Sequence, residues 1–139
     1  MEHLYVIGID YGTDSVRALL ADAESGEEIA VAVCNYSRWG RGLYCDTAKS
    51  QFRQHPLDYL EGLEQVLRQV IAQCPAPEAI RAIAVDTTAS TPCLVDRTCT
   101  PLSLTVGYEE NPDAMFMLWK DHSAVHEADE INELAHLWE

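Results

Sequence analysis

Asp10, Gly12, Thr13, Asp14 and Ser15 fall within the seven residues Ile9-Asp10-Tyr11-Gly12-Thr13-Asp14-Ser15. A carboxylate at a strand end holds a magnesium ion through water, and a small glycine beside hydroxyl residues lets backbone N–H groups approach a phosphate. The chemistry this spacing suits is that of a nucleotide phosphate with its metal. A second carboxylate, Asp86, closes the apolar run 80–86 and precedes the polar turn Thr87-Thr88-Ala89-Ser90-Thr91. Converging at one sheet edge, Asp10 and Asp86 make a pair able to hold a divalent cation. Asp86 is equally suited to capping the turn that follows it.

Such groups need strands to carry them. Strands are expected over residues 5–11, 16–22 and 28–36, forming an antiparallel meander with Glu24-Ser25-Gly26 as a turn. In the third, Ile29, Val31 and Val33 oppose Ala30, Ala32 and Cys34, which implies cover on both faces. Periodicity is lost over residues 37–55, and a long surface loop is expected there. Pro56 suits the first turn of a helix whose apolar stripe comprises Tyr59, Leu63, Val66 and Val70 with Leu60, Leu67 and Ile71; Pro75 and Pro77 end it. Strands over 80–86 and 92–96 follow, giving an α/β fold with a mixed five-stranded sheet flanked by helices. A last helix from about Ser123 sets Ala124, Ala128, Ile131, Ala135 and Trp138 on one face. That stripe runs out with no glycine cap or proline, so a segment of a longer chain is expected.

With 47% hydrophobic and 23% charged residues, the composition is that of a globular domain, and no run approaches the ~18 apolar residues of a membrane span. Met1-Glu2-His3 is acidic where a signal peptide needs positive charge, so the cytoplasm is expected. The net charge of −14 repels nucleic-acid backbones and anionic membranes alike, and neither is expected as a partner. Five cysteines without a C-x-x-C pair read as structural thiols, and no zinc site is expected. Of the histidines, His122 lies nearest a candidate motif, while His3, His55, His126 and His136 read as surface residues.

Three runs carry a resemblance: Gly8-Ile-Asp-Tyr-Gly-Thr-Asp-Ser-Val-Arg-Ala-Leu-Leu20, Val85-Asp-Thr-Thr-Ala-Ser-Thr-Pro92 and Asn111-Pro-Asp-Ala-Met-Phe-Met-Leu-Trp-Lys-Asp-His-Ser-Ala124. Together they resemble the amino-terminal part of the FGGY carbohydrate kinases, and the Leu-Trp-Lys-Asp-His string narrows the likeness to the ribulokinases. The resemblance implies a ribonuclease-H-like (actin-like ATPase) fold, with residues 1–139 as a truncated half of the first domain and the second, nucleotide-closing domain absent. It implies ATP and Mg²⁺ as cofactors and ribulose or a related pentulose as substrate; a homo-oligomer is compatible with the sequence. Asp10 would position Mg-ATP; Gly12, Thr13 and Ser15 would lie near the transferred phosphate, supported by Asp14 and Arg17. Thr88, Ala89 and Ser90 would floor the sugar pocket, with Trp119, Lys120 and Asp121 in its wall. Trp119 also reads as a core aromatic, and Lys120 and Asp121 as an exposed ion pair or helix cap. The general base is expected beyond Glu139, which leaves the segment alone inactive. Many relatives have glycine where this chain has Ala89 and Cys99, and a side chain at either position limits positive φ. A metal-dependent nuclease using Asp10 and Asp86, and a non-catalytic binding module, stand as alternatives.

Overall fold

Alternating apolar residues build an antiparallel meander in the computed structural model, which describes residues 3–137: β1 (Tyr5–Tyr11), β2 (Ser15–Asp22) and β3 (Glu28–Asn35). A later strand, β6 (Ile80–Thr87), joins β1 in parallel, giving the order β3-β2-β1-β6. The main sheet is therefore mixed and four-stranded, one strand fewer than expected. Residues 92–96 form only a single bridge, Val95 to Pro101.

Helix α2 (Pro56–Ile71) lies across β2 and β3. Pro56 opens it because its missing N–H is an unpaired position anyway, and His55 caps it by accepting the Leu57 N–H at 3.1 Å. Val66 and Val70 are fully buried against Val16, Ala18, Leu20, Ala30 and Ala32, each contributing about 1.5–3 kcal/mol by its transfer from water. The alanines of β3 let the helix come close, and Gly62 brings it closer still. A Cβ there would stand 2.8 Å from Val16 Cγ1. Leu60 and Ile71, expected in the stripe, are exposed because they flank the contact line.

The opposite sheet face is uncovered, contrary to the expectation for β3: Val31 is 56% exposed and Val33 49%. Strand β6 extends past the reach of α2 and is exposed on both faces.

Residues 37–55 are not a loop. They contain α1 (Ser37–Gly40), β4 (Cys45–Asp46) and β5 (Gln51–Gln54), with β5 paired to β4 and to β7 (Phe116–Met117) in a second small sheet. The order comes from polar anchors that hydrophobic periodicity does not report. Asp58, buried in the first turn of α2, accepts the N–H groups of Arg38 and Trp39 and the Arg38 guanidinium. His55 is also buried, contrary to the surface position expected, and points Nε2 at the Glu109 carbonyl; His3 is exposed as expected and pairs with Asp22 at 2.6 Å. A stack of Tyr11, Tyr59 and Tyr36, with Phe116 on Tyr59, joins the two sheets. The last helix, α3 (Val125–Ala135), buries no residue, and Trp138 of its expected stripe lies outside the described residues.

Candidate functional site

The parallel register pairs Asp10 with Asp86, and the antiparallel register pairs Asp10 with Arg17. Three charged residues thus share one rung at the carboxyl end of β1. Arg17 Nη1 stands 3.8 Å from Asp10 Oδ2, a long and exposed ion pair that constrains neither group strongly. Asp86 takes the Thr87 N–H at 2.8 Å, so it does serve its own turn while facing Asp10. Among the described residues no group of three His, Cys, Asp or Glu side chains clusters about a common centre. Two hard oxygen ligands suit Mg²⁺, which keeps several waters of its own.

Beyond Asp10 the chain turns tightly, with the Gly12 N–H on the Ser15 carbonyl at 2.9 Å. A Cβ at Gly12 would press on that carbonyl at 3.3 Å, which is why glycine fits here. Thr13 and Asp14 form the tip, and Ser15 is buried behind it at the start of β2. Three side chains from distant segments fasten this tip. The Gln54 amide donates to the Thr13 carbonyl at 2.6 Å, the Trp39 indole N–H donates to Asp14 Oδ1 at 2.6 Å, and the Trp119 indole N–H reaches Thr13 Oγ1 at 3.4 Å.

The second motif adjoins the first, since both the N–H and the hydroxyl of Thr88 donate to the Tyr11 carbonyl, at 3.0 and 2.9 Å. Ala89 is exposed and its carbonyl accepts from the Thr91 hydroxyl. Ser90 adopts the left-handed conformation at φ 55°, so the turn's unusual backbone falls one residue after the alanine.

In the third motif, Trp119 is 55% exposed beside the tip. Lys120 places Nζ 4.7 Å from the Trp39 ring and 4.9 Å from that of Phe52, a cation between two aromatic faces. Asp121 has a different environment. Its buried carboxylate accepts from the Phe52 N–H, the Arg53 guanidinium and both donors of Ser123. Burial pushes this carboxyl up, but those donors outweigh it and leave it lowered. Asp121 thus holds β5 to the segment after Trp119 rather than facing open space. His122 is exposed and ties its N–H to the Ser50 carbonyl.

The structure brings all three motifs together at one sheet edge, along with Gln54, Trp39, Tyr59 and Arg53, none of which was a candidate. Trp39 was the most detectable, as a tryptophan set among the glycines and arginines of residues 38–42. Gln54 and Arg53 sit in a run with no apolar alternation, and nothing local marks them.

No family model matches the chain. Ribulokinase from Vibrio parahaemolyticus is 52% identical over 134 residues, covering 95% of this chain and 24% of that protein. Ribulokinase from Halalkalibacterium halodurans is 37% identical over 137 residues, covering 94% and 24%. Gluconate kinase from Lactobacillus acidophilus has a similar structure, with a TM-score of 0.70 at 15% identity over 94% of this chain and 23% of that one. At that identity the likeness speaks for the fold. The chain spans about a quarter of the length of the curated relatives it matches.

Proposed function

We propose, from the premise that this chain belongs to the ribulokinase family of carbohydrate kinases, that the protein of which it is part transfers the γ-phosphoryl group of Mg-ATP to the terminal hydroxyl of ribulose. The observation that carries this reading is the homology to ribulokinases along nearly the whole chain, and the meeting of its three motifs at the mouth of β1 supports it.

Asp10 and Asp86 would hold Mg²⁺, which when bound would neutralise phosphate charge during an in-line transfer. The Thr13–Asp14 tip, with Gly12 and Ser15 behind it, receives the phosphate on backbone N–H groups, and Asp14 and Arg17 support the turn, Arg17 as a loosely paired positive charge beside Asp10. Thr88, Ala89 and Ser90 floor the sugar site. The half-exposed Trp119 indole offers its face to the C–H side of the sugar, with Lys120 beside it. Asp121 acts here through Arg53 and Phe52, by fixing the strand that faces Trp119. The aspartate that takes the hydroxyl proton, and the second domain that closes over the nucleotide, belong to the rest of the protein, whose setting is the cytoplasm and pentose catabolism. No helix among the described residues is long and apolar enough to cross a membrane.

The test is pentulose-dependent ADP production by the full-length protein, with ribulose compared against other pentuloses and polyols. Ribulose is expected to be preferred, and Asp10→Asn to lower turnover by at least about a hundredfold. No phosphorylation of any pentulose, or ribulose-dependent ADP production by the 139-residue chain alone, would overturn the reading.

A further inference from the structure

We infer that Gln54 is the positioning residue of the phosphate turn, fixing which way the Thr13–Asp14 peptide faces; the inference rests on the kinase reading above. Gln54 is 1% exposed, and both ends of its amide are engaged. Oε1 accepts the Tyr59 hydroxyl at 2.7 Å, and Nε2 donates to the Thr13 carbonyl at 2.6 Å. A carbonyl oxygen only accepts, so chemistry dictates which end of the amide meets Thr13. Burial first, then the charges of Cys93 and Tyr11, push the Tyr59 hydroxyl up to about 12, so it remains a donor at neutral pH.

The consequence follows from peptide geometry. In a trans peptide the C=O and the N–H of one unit point in opposite directions. With the Thr13 carbonyl drawn toward buried Gln54, the Asp14 N–H of the same unit is directed away from the interior. Among the described residues, neither the Asp14 N–H nor the Thr13 N–H donates to a protein acceptor. Two neighbouring free amides on a glycine-led turn are an anion cradle, and Gln54 sets the aim of one of them. The Trp39 bond to Asp14 Oδ1 holds that side chain aside.

Steady-state kinetics of the full-length protein test this, with Gln54→Leu, Gln54→Glu and Tyr59→Phe each measured for Mg-ATP and for ribulose. Gln54→Leu is expected to lower kcat/KM for Mg-ATP about tenfold or more, leaving KM for ribulose within about twofold. Gln54→Glu keeps the shape but as a carboxylate has no proton for Thr13; its defect is expected to shrink as pH falls and the carboxyl regains one. Tyr59→Phe keeps the ring stack and frees the amide to turn, and a smaller loss confined to Mg-ATP is expected. Equal losses for both substrates that track a fall in Tm, or unchanged Mg-ATP kinetics in all three variants, would overturn the inference while the kinase reading stands. A wild-type protein that phosphorylates no pentulose would overturn both.

Discussion

Asp22 closes the hairpin between β2 and β3 by accepting the N–H groups of Glu24 and Ser25 at 3.0 and 2.9 Å, with His3 on its other oxygen. The Ser25 amide first, and His3 next, hold its carboxyl at about 2, against an ordinary 3.8. The folded value is the lower one, so between about pH 4 and pH 2 the unfolded chain binds more protons and stability falls as acid is added. Asp22→Asn keeps an acceptor for the turn but cannot titrate. Urea melts of the 139-residue chain are expected to lose less stability below about pH 4 in the variant than in the wild type, and parallel curves would refute the assignment. Cys99 is strained differently, with φ 63° in the turn that Asp96 organises through the Thr98 and Thr100 amides. The sequence identified this position as one where a glycine would sit more easily, and the left-handed backbone supplies the reason. Cys99→Gly removes a left-handed penalty but loosens the unfolded chain, for a net gain of about 0.5–1 kcal/mol in denaturant titration.

The contact of α2 with β2 depends on one absent side chain. Alanine at Gly62 improves helix propensity by about 1 kcal/mol, yet its methyl meets Val16 in a core that costs roughly 1–3 kcal/mol to overpack. Gly62→Ala is expected to destabilise and Val16→Ala to open a gap. The double variant should recover at least about 1 kcal/mol of coupling by equilibrium unfolding, and strict additivity would show that the two do not touch. At this scale the sequence was readable wherever apolar spacing carried the information. The meander, α2 with its proline start, and β6 all follow from alternation or helical stripes, and so does the pairing of Asp10 with Asp86. Residues 37–55 were unreadable because they are organised by Asp58, His55, Gln54 and Arg53, buried polar groups whose partners are 20 to 70 positions away. Local patterning cannot register such distant satisfaction, and the tie of Asp121 to Arg53, 68 positions away, is invisible in the sequence for the same reason.

Across the whole molecule, cover is uneven. One face of the main sheet lies under α2, while the other exposes Val31 and Val33, and β6 leaves Ile83 and Val85 more than half exposed. A shallow trough of about 420 Å³ crosses the uncovered face, bounded by Leu19, Val31 and Ala84 and ending at Asp10 and Asp86. Contiguous apolar surface of this kind promotes association. The isolated 139-residue chain is expected to bind an apolar fluorescent dye and to sediment as a concentration-dependent oligomer, with both effects reduced by Val31→Thr with Val33→Thr. A monomer that ignores the dye would show the face to be inert. The parallel pairing of β1 with β6 has a further consequence, for the order of assembly. The meander closes through contacts near in sequence and α2 docks on it across about 46 positions, from Val16 to Gly62, whereas Asp10 and Asp86 lie about 76 positions apart and meet only after a longer loop is closed. As the chain leaves the ribosome, the turn at Thr13 can take shape while the second carboxylate is still unmade. The second carboxylate of the rung thus arrives with the last strand to join the main sheet, and the charged row of Asp10, Arg17 and Asp86 is complete only when that sheet is.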